Sequence, residues 1–388
     1  MWNMEQSRYK LVAFSLFLLV LVGYTPVTLV AYFLSVAWAS SVNSFMYCLS
    51  KQKMLLIIFV LSIGFGLINF SFFSIIPSMA DIRVWAGFFF FYLFSLFLKD
   101  KDMVLREICF FVKILFYLDF ITNILLILGL NLPWAQVPMT RPGELFPRLP
   151  GVKNSALFSG YISLLYSVVL LFENLKITKG NMFFFCMLSL NLLFAGSYRF
   201  FVILFLLLVV KYFKLFEKRF YVLIAFIFMV FLVVVSTILT QDISGSNNIR
   251  LKLWKSAVSR VFDANNCIGQ GFFIPKVSEG ITGFIKLQQA GVTESTILQW
   301  GVCFGYIVML LLVLFFIRIL AKILNYHTFT LGVGFILIEL SLWFFGGGIG
   351  NILNISLLSL SIASINNHDI YNNPREFNKQ VQNYEMFL

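Results

Sequence analysis

Long apolar runs separated by short polar breaks extend along almost the entire chain. A helix that crosses a lipid bilayer needs about 20 predominantly apolar residues. With Pro, Gly and charge clusters taken as breaks, the pattern predicts about twelve such helices. The predicted spans are residues 10–24, 27–48, 54–76, 84–98, 107–129, 156–172, 181–197, 200–216, 220–239, 295–317, 328–345 and 350–365. We therefore predict an all-α polytopic membrane protein, whose first two spans are one apolar stretch divided at Thr25-Pro26.

Three polar segments depart from this apolar pattern. Residues 241–294 are the longest, and we predict a large periplasmic loop that contains short helices. Residues 130–155 are predicted as a smaller periplasmic loop and residues 366–388 as a cytoplasmic tail. None of them is large enough to fold as a separate soluble domain, so residues 1–388 are predicted to form a single integral membrane domain.

The composition supports the same class of protein. Of the 388 residues, 60% are hydrophobic and only 12% are charged, whereas about a quarter of the residues in a soluble domain are charged. The net charge of +12 does not indicate nucleic-acid binding, because much of it lies in short loops where orientation charges belong. The five cysteines match neither a disulfide framework nor a Cys/His zinc pattern.

The distribution of Lys and Arg predicts the orientation of the chain. A cytoplasmic N-terminus satisfies the positive-inside rule and leaves the outward connections at Thr25-Pro26 and Gly346–Gly350 without Lys or Arg. Both termini are then cytoplasmic. The outward exceptions are the large-loop cations together with Arg83, Arg141, Arg148, Lys153 and Arg199. An outward cationic surface runs against the topology bias, so we predict that it meets an anionic substrate at the membrane surface.

Arg199 lies in a break of small residues between two strongly apolar spans. At the outer membrane boundary, burial of an arginine is costly unless it has an anion or carbonyl partner. The alternative is a snorkelling arginine that anchors a helix end.

The large loop contains an apolar stripe at helical spacing, formed by Trp254, Ala257, Val258 and Val261. Arg250 lies one turn before Trp254 and shares this inward-facing stripe, which directs it toward the membrane body. The alternative is an interfacial amphipathic helix whose cations bind lipid headgroups.

Glu294 ends the large loop, directly before the next span. A carboxylate fixed there can accept a proton from a substrate hydroxyl, but the helix dipole alone also favours an acid in a first turn. In the smaller loop, prolines beside Arg141 and Arg148 stiffen the backbone and position both arginines, unless this is an ordinary solvated loop.

Asp119 and Glu339 are acids inside predicted spans, where an ionisable group calls for a functional hypothesis. Lys113 precedes Asp119 by six residues and is not an ideal partner on the same helix. We expect neighbouring polar side chains to satisfy both acids.

Several short motifs carry a resemblance to a known family. They are Gly196-Ser197-Tyr198-Arg199 before a span, Arg250 with Trp254, Ile268-Gly269-Gln270-Gly271, Glu294 before the next span, and Trp300-Gly301 with Gly305 inside that span. With these motifs the chain resembles Wzy-type O-antigen or exopolysaccharide polymerases, within the larger group that contains the O-antigen ligases. The ligases place a histidine near the end of the large loop, where this chain has Glu294. Its two histidines map to the cytoplasmic side, so the departure favours a polymerase.

The resemblance implies transfer of a growing glycan from undecaprenyl pyrophosphate onto a second lipid-linked repeat unit, at the periplasmic face of the bacterial inner membrane. It implies that Arg199 and Arg250 bind the diphosphate, with Arg141 or Arg148 assisting. Glu294 would orient or deprotonate the acceptor hydroxyl.

Lys255 and Arg260 in the large loop are expected to add contacts to the diphosphate or the glycan. No outward Asp-rich metal motif is present in the sequence, so we expect neither a metal nor another cofactor. The expected partners are lipid-linked glycans, membrane lipid and, if the enzyme does not act alone, a chain-length regulator.

Two alternatives come from other functional classes. A secondary transporter or lipid-oligosaccharide flippase would use Asp119 and Glu339 as intramembrane coupling groups, and such proteins often contain internal repeats. No convincing similarity between the two halves of the chain is visible. A non-catalytic protein of envelope assembly is the third hypothesis, and an O-antigen ligase is the alternative within the same family group.

Overall fold

The computed structural model describes most of the predicted helices and a small part of the large loop. The described residues are 4–23, 25–41, 45, 53–73, 79–135, 147–173, 182–196, 198–212, 254–255, 257–262, 267–269, 295–324, 330–345 and 352–372. This part of the chain is almost entirely helical, and its β-structure is limited to an isolated bridge between Ser40 and Leu98.

Eleven long helices follow one another in the described residues. They are α1 (Met4–Val22), α2 (Pro26–Trp38), α3 (Lys53–Phe73), α4 (Met79–Phe97), α5 (Lys101–Ile127), α6 (Ala156–Phe172), α7 (Met182–Ala195), α8 (Tyr198–Tyr212), α9 (Thr296–Leu324), α10 (Leu331–Phe345) and α11 (Ile352–Asn372). Each overlaps one predicted span, and the remaining predicted span, 220–239, lies outside the described residues.

The division of the first apolar stretch at Thr25-Pro26 is confirmed. α1 ends at Val22 and is followed by Gly23, whose φ of +95° is a conformation that glycine adopts readily. Thr25 caps α2, because its Oγ1 accepts a hydrogen bond from the Thr28 amide at 3.2 Å, while Thr28 Oγ1 accepts one from the Thr25 amide at 3.1 Å. Pro26 occupies the first helical position, where its missing amide is not needed.

The predicted extent of the second span, 27–48, is wrong. α2 ends at Trp38, and the next residues bridge to the end of α4. The Ser41 amide donates to Phe97 O at 2.7 Å, and the Lys99 amide donates to Ala39 O at 3.3 Å. Apolar composition alone does not reveal the pairing of Ser40 with Leu98, which takes the place of a further turn of α2.

Three helices in the described residues are long and apolar enough to cross a membrane. They are the segments Lys53–Phe72 of α3, Lys101–Ile127 of α5 and Ile297–Ile323 of α9. Shorter apolar helices of 10–17 residues accompany them. Many large side chains on these helices are exposed, including Val60 on α3 and Ile317 on α9, as expected for surfaces that contact lipid rather than water.

The chain forms two compact units. Unit 1 comprises Met1–Trp38, Asp102–Leu239 and Leu324–Ile338, and unit 2 comprises Ala39–Lys101, Thr240–Ile323 and Glu339–Leu388. In unit 1, α6 is the central helix: residues Phe158 to Leu171 are all buried, and it packs against both α7 and α8. Gly160 allows the close approach to α8, because a Cβ at this position would overlap the ring of Phe200.

Unit 2 is organised around an aromatic cluster. The Trp343 ring lies 5.1 Å from Phe88, 6.0 Å from Trp300 and 5.3 Å from Phe316 between centroids. α4 packs along α11, where Ser359 Oγ approaches Phe88 O at 3.5 Å. These buried rings join α4, α9 and α10 into one core by area burial and by tilted and edge-to-face ring contacts.

Replacing Gly160 with Ala should destabilise the protein by about 1–3 kcal/mol, because the new methyl group forces Phe200 or α8 to shift. Gly64→Ala in α3 is the matched control, since a Cβ there meets nothing within 4 Å; it should be neutral or slightly stabilising. Thermal unfolding of the detergent-solubilised protein measures both. Equal effects of the two variants, or no recovery of Gly160→Ala by Phe200→Leu, would contradict this packing.

Candidate functional site

Three connections meet at one end of unit 1, and each was predicted to face outward. The Lys153 ammonium donates a hydrogen bond to Leu21 O near the end of α1, at 2.8 Å. The Leu149 amide donates to Phe194 O near the end of α7, at 3.0 Å. The end of α1, the loop before α6 and the turn from α7 to α8 therefore lie together, which is consistent with the alternation of the predicted spans.

The loop of residues 147–155 has a defined, folded conformation. The Ser155 amide donates to Pro150 O at 2.6 Å, and Gly151 and Asn154 both have positive φ values, +62° and +54°. Asn is one of the few non-glycine residues that adopt this region readily. Ser155 then caps α6 by accepting a hydrogen bond from the Phe158 amide. Arg148 thus lies in an ordered loop, as its neighbouring prolines predict.

Arg148 packs over the turn that leads into α8. A Cβ built on Gly196 would lie 2.7 Å from Arg148 Cγ and 3.0 Å from Arg148 Nε. Gly196 also has φ +60°, so both space and backbone conformation favour glycine here. α8 begins two residues later, and the backbone of Arg199 lies in its first turn. The structure therefore brings the positions of two predicted site arginines, Arg148 and Arg199, to one turn; the side chain of Arg199 lies outside the described part.

Lys153 is held at the same end of unit 1 by a structural contact. Its ammonium binds a terminal carbonyl of α1, where the helix dipole and the unpaired C=O groups favour a cation. Partial burial lowers the pKa of Lys153 below its ordinary value. This lysine ties α1 to the loop of residues 147–155, a role that its outward position in the sequence did not indicate.

The other predicted site residues are not assembled by the described part of the chain. Arg141, Arg250 and Glu294 lie outside the described residues. Lys255 and Arg260 belong to a short helical stretch of unit 2, exposed and half-buried respectively.

The predicted stripe of the large loop is partly wrong. Ala257 and Val261 are buried, and Trp254 is half-buried, as the helical spacing predicts. Val258 is 42% exposed and does not belong to the buried face. Val258 is turned by about 100° from Ala257 around the helix, and in this helix that turn carries it from the buried side to the exposed side.

The break in α9 at Gly305 is a feature that the sequence did not predict. Gly305 has φ +82° and ψ 169°, which interrupts the helix. The large-loop residues Cys267–Gly269 lie against this break: a Cβ on Gly305 would overlap the Cys267 carbonyl, and one on Gly269 would overlap the backbone of Cys303 and Gly305. Asn69 of α3 donates to Ile268 O at 3.3 Å. The two glycines were visible as motifs, but their contact with each other was not.

Both acids of the predicted spans are completely buried. Asp119 accepts hydrogen bonds from Asn191 Nδ2 and from the Val152 amide, each at 3.0 Å. The expectation that neighbouring polar groups satisfy Asp119 is confirmed. Lys113 pairs with Glu173 at the end of α6 instead. Glu339 is 0% exposed on α10.

Chemically, Arg148 gives the end of unit 1 a group that can bind an anion. An arginine offers several fixed N–H donors to phosphate or carboxylate oxygens, and no group of three or more His, Cys, Asp or Glu side chains that could hold a metal ion occurs among the described residues. No protein-family model matches this chain, and no curated protein matches it either.

Proposed function

We propose that this protein is a bacterial inner-membrane glycosyltransferase with about twelve spans. It polymerises undecaprenyl-pyrophosphate-linked repeat units at the periplasmic face. The observation that supports this proposal is the placement of Arg148 on Gly196, at the turn that carries the backbone into Arg199. Two arginine positions that are predicted to face outward, from distant parts of the sequence, thereby lie at one end of unit 1.

A diphosphate is the anion that we propose for this site. Cleavage of the bond between the glycan and undecaprenyl pyrophosphate builds negative charge on the departing diphosphate. Guanidinium groups are always charged and bind such oxygens in pairs, and donors fixed before the reaction stabilise the developing charge most effectively. The folded loop around Arg148 provides this fixed geometry.

The proposed reaction moves the growing glycan onto the new repeat unit. The acceptor hydroxyl oxygen attacks the anomeric carbon of the donor, the bond from that carbon to the diphosphate oxygen breaks, and undecaprenyl pyrophosphate leaves. Glu294 takes the hydroxyl proton, Arg199 and Arg250 bind the diphosphate, and Arg148 or Arg141 assists. Lys255 and Arg260 contact the diphosphate or the glycan. A chain-length regulator is the proposed protein partner, and ligation onto a final acceptor is the alternative reaction at the same site.

A lipid-oligosaccharide flippase is the second candidate, favoured by one specific observation. The break at Gly305 makes α9 a discontinuous helix, and discontinuous helices form the substrate sites of many transporters. Asp119 does not fit the coupling role in that hypothesis, because both of its carboxylate oxygens already accept hydrogen bonds from amide groups.

Deletion of the gene should collapse the surface glycan from a ladder to a single repeat unit, and the intact gene should restore the ladder. Arg148→Ala and Arg199→Ala should each slow polymerisation about a hundredfold, since one lost donor to a developing anion costs about 3 kcal/mol. Arg106→Ala is the matched control, an exposed arginine on α5 outside the proposed site. The measurement is gel electrophoresis of extracted glycan at equal protein levels.

The alternatives predict different gels in the same experiment. An unchanged ladder after deletion excludes a polymerase. Loss of even the single repeat unit at the outer surface points to flipping or ligation. The third outcome is a collapsed ladder in the deletion strain but a full ladder in both Arg148→Ala and Arg199→Ala. It would support the polymerase hypothesis and contradict this anion site.

The proposed orientation predicts which residues meet the periplasm. In a background without cysteines, Pro147→Cys should react in intact spheroplasts with a membrane-impermeant maleimide, because Pro147 is an exposed residue of the loop before α6. Arg106→Cys, exposed on α5 near its start, should react only after the membrane is permeabilised. Labelling in the reverse order would place the Arg148 turn in the cytoplasm, where no undecaprenyl-linked polymer is assembled under this proposal.

A further inference from the structure

A fully buried polar network joins three helices of unit 1. Its side chains are Asp119 and Asn123 of α5, Ser163 of α6 and Asn191 of α7. Asn191 lies at its centre: its Nδ2 donates to Asp119 Oδ2 and to Ser163 Oγ, each at 3.0 Å, and its Oδ1 accepts from Asn123 Nδ2 at 2.8 Å. Asp119 and Asn123 are four residues apart and so share one face of α5.

The network also binds the loop that carries Arg148. The Val152 amide donates to Asp119 Oδ1 at 3.0 Å, and the Gly151 amide donates to Asn123 Oδ1 at 3.1 Å. Gly151 lies so close that a Cβ there would overlap both Asp119 Oδ1 and Ser159 Oγ. Two consecutive loop amides, three and four residues after Arg148, are therefore fixed to α5.

We infer that this network is a positioning device for Arg148. Asp119, Asn123, Asn191 and Ser163 fix the loop of residues 147–155, and the loop then holds Arg148 on Gly196. This inference rests on the proposed anion site for its functional part. It assigns the buried carboxylate of Asp119 a role in orienting a surface cation, although Asp119 itself touches no substrate.

The bonding of Asp119 favours this role over binding of a transported cation. Each of its two oxygens accepts a hydrogen bond, one from the Val152 amide of the loop and one from Asn191, so each already has a protein donor. A satisfied polar network at low dielectric is rigid, whereas removal of one member leaves costly unpaired groups. The network thus strongly favours one loop position over others.

Disulfide formation between Arg148→Cys and Gly196→Cys measures the loop position without any assay of function. The 2.7 Å from a Cβ at Gly196 to Arg148 Cγ brings the two Cβ atoms within the range that a disulfide needs. A side chain at Gly196 is strained because φ is +60°, but this strain is common to every variant and cancels in the ratio of rates. The rate of oxidation is followed in isolated membranes, in a background without the native cysteines.

Asp119→Leu should slow this cross-linking about tenfold or more, and the milder Asn123→Ala should slow it less. Ser163→Ala and Ser167→Ala form a matched pair on α6. Both hydroxyls are buried, but Ser163 Oγ accepts from Asn191, whereas Ser167 Oγ donates to Leu164 O of its own helix. Ser163→Ala should slow cross-linking and Ser167→Ala should not.

The same network variants with Arg148 intact are then scored for the glycan ladder, and Asp119→Asn is included as the conservative replacement. Asn retains one oxygen that can accept from the Val152 amide, so it should restore part of both the cross-linking rate and the ladder relative to Asp119→Leu. Only variants that fold, as judged by their elution from a size-exclusion column, are compared.

Two results would overturn the inference. Unchanged cross-linking in Asn123→Ala and Ser163→Ala would show that the network does not hold the loop, whatever the ladder shows. The second result is a network variant with slowed cross-linking but a full ladder, where Arg148→Ala abolishes the ladder. It would show that the loop position does not matter for function. If Arg148→Ala itself leaves the ladder full, the proposed anion site fails, and the cross-linking rates still decide whether the network positions the loop.

Discussion

Buried polar groups must find partners, and this constraint accounts for most of what is ordered at the candidate site. In a protein surrounded by lipid, an unpaired amide or carboxylate costs several kcal/mol, so a non-helical loop can lie against a helix bundle only where the bundle supplies acceptors. Asp119 and Asn123 supply them to the amides of Val152 and Gly151. These hydrogen bonds fix the path of the loop and give the buried carboxylate its donors. Each partner thereby removes the cost of leaving the other unpaired.

In this loop, the residues that hold the backbone in place are different from the arginine that the backbone carries. Lys153 and Asp119 both serve the loop of residues 147–155, one by binding the end of α1 and the other by accepting a loop amide. Arg148 lies between these contacts and the turn at Gly196. The backbone that carries its guanidinium is therefore held on both sides.

Helices were predicted well from the sequence because their signal is local. Apolar length and the breaks at Thr25-Pro26 place α1 and α2, and the predicted extent of α6, 156–172, equals the observed one. The error in the second span arose from a pairing between Ser40 and Leu98, residues far apart in the chain. Local hydropathy contains no information about such a partner.

The site was predicted less completely for the same reason. Arg148 and Arg199 were singled out one at a time, by their outward charge and flanking residues, but their common turn depends on Gly196, and only the folded chain shows that contact. Asp119 was recognised as an unusual acid, whereas its partners Asn191 and Val152 lie 72 and 33 residues away. Val258 shows the reverse error, since spacing assigned it to a buried face that it does not share.

The contact between Gly269 and Gly305 has a mechanical consequence. Backbone lies directly against backbone there, with no side chain between the two segments to change rotamer and absorb a displacement. A displacement of residues 267–269 is therefore passed directly to α9 at its interrupted turn. Within unit 2, this part of the loop and α9 therefore shift together at that point.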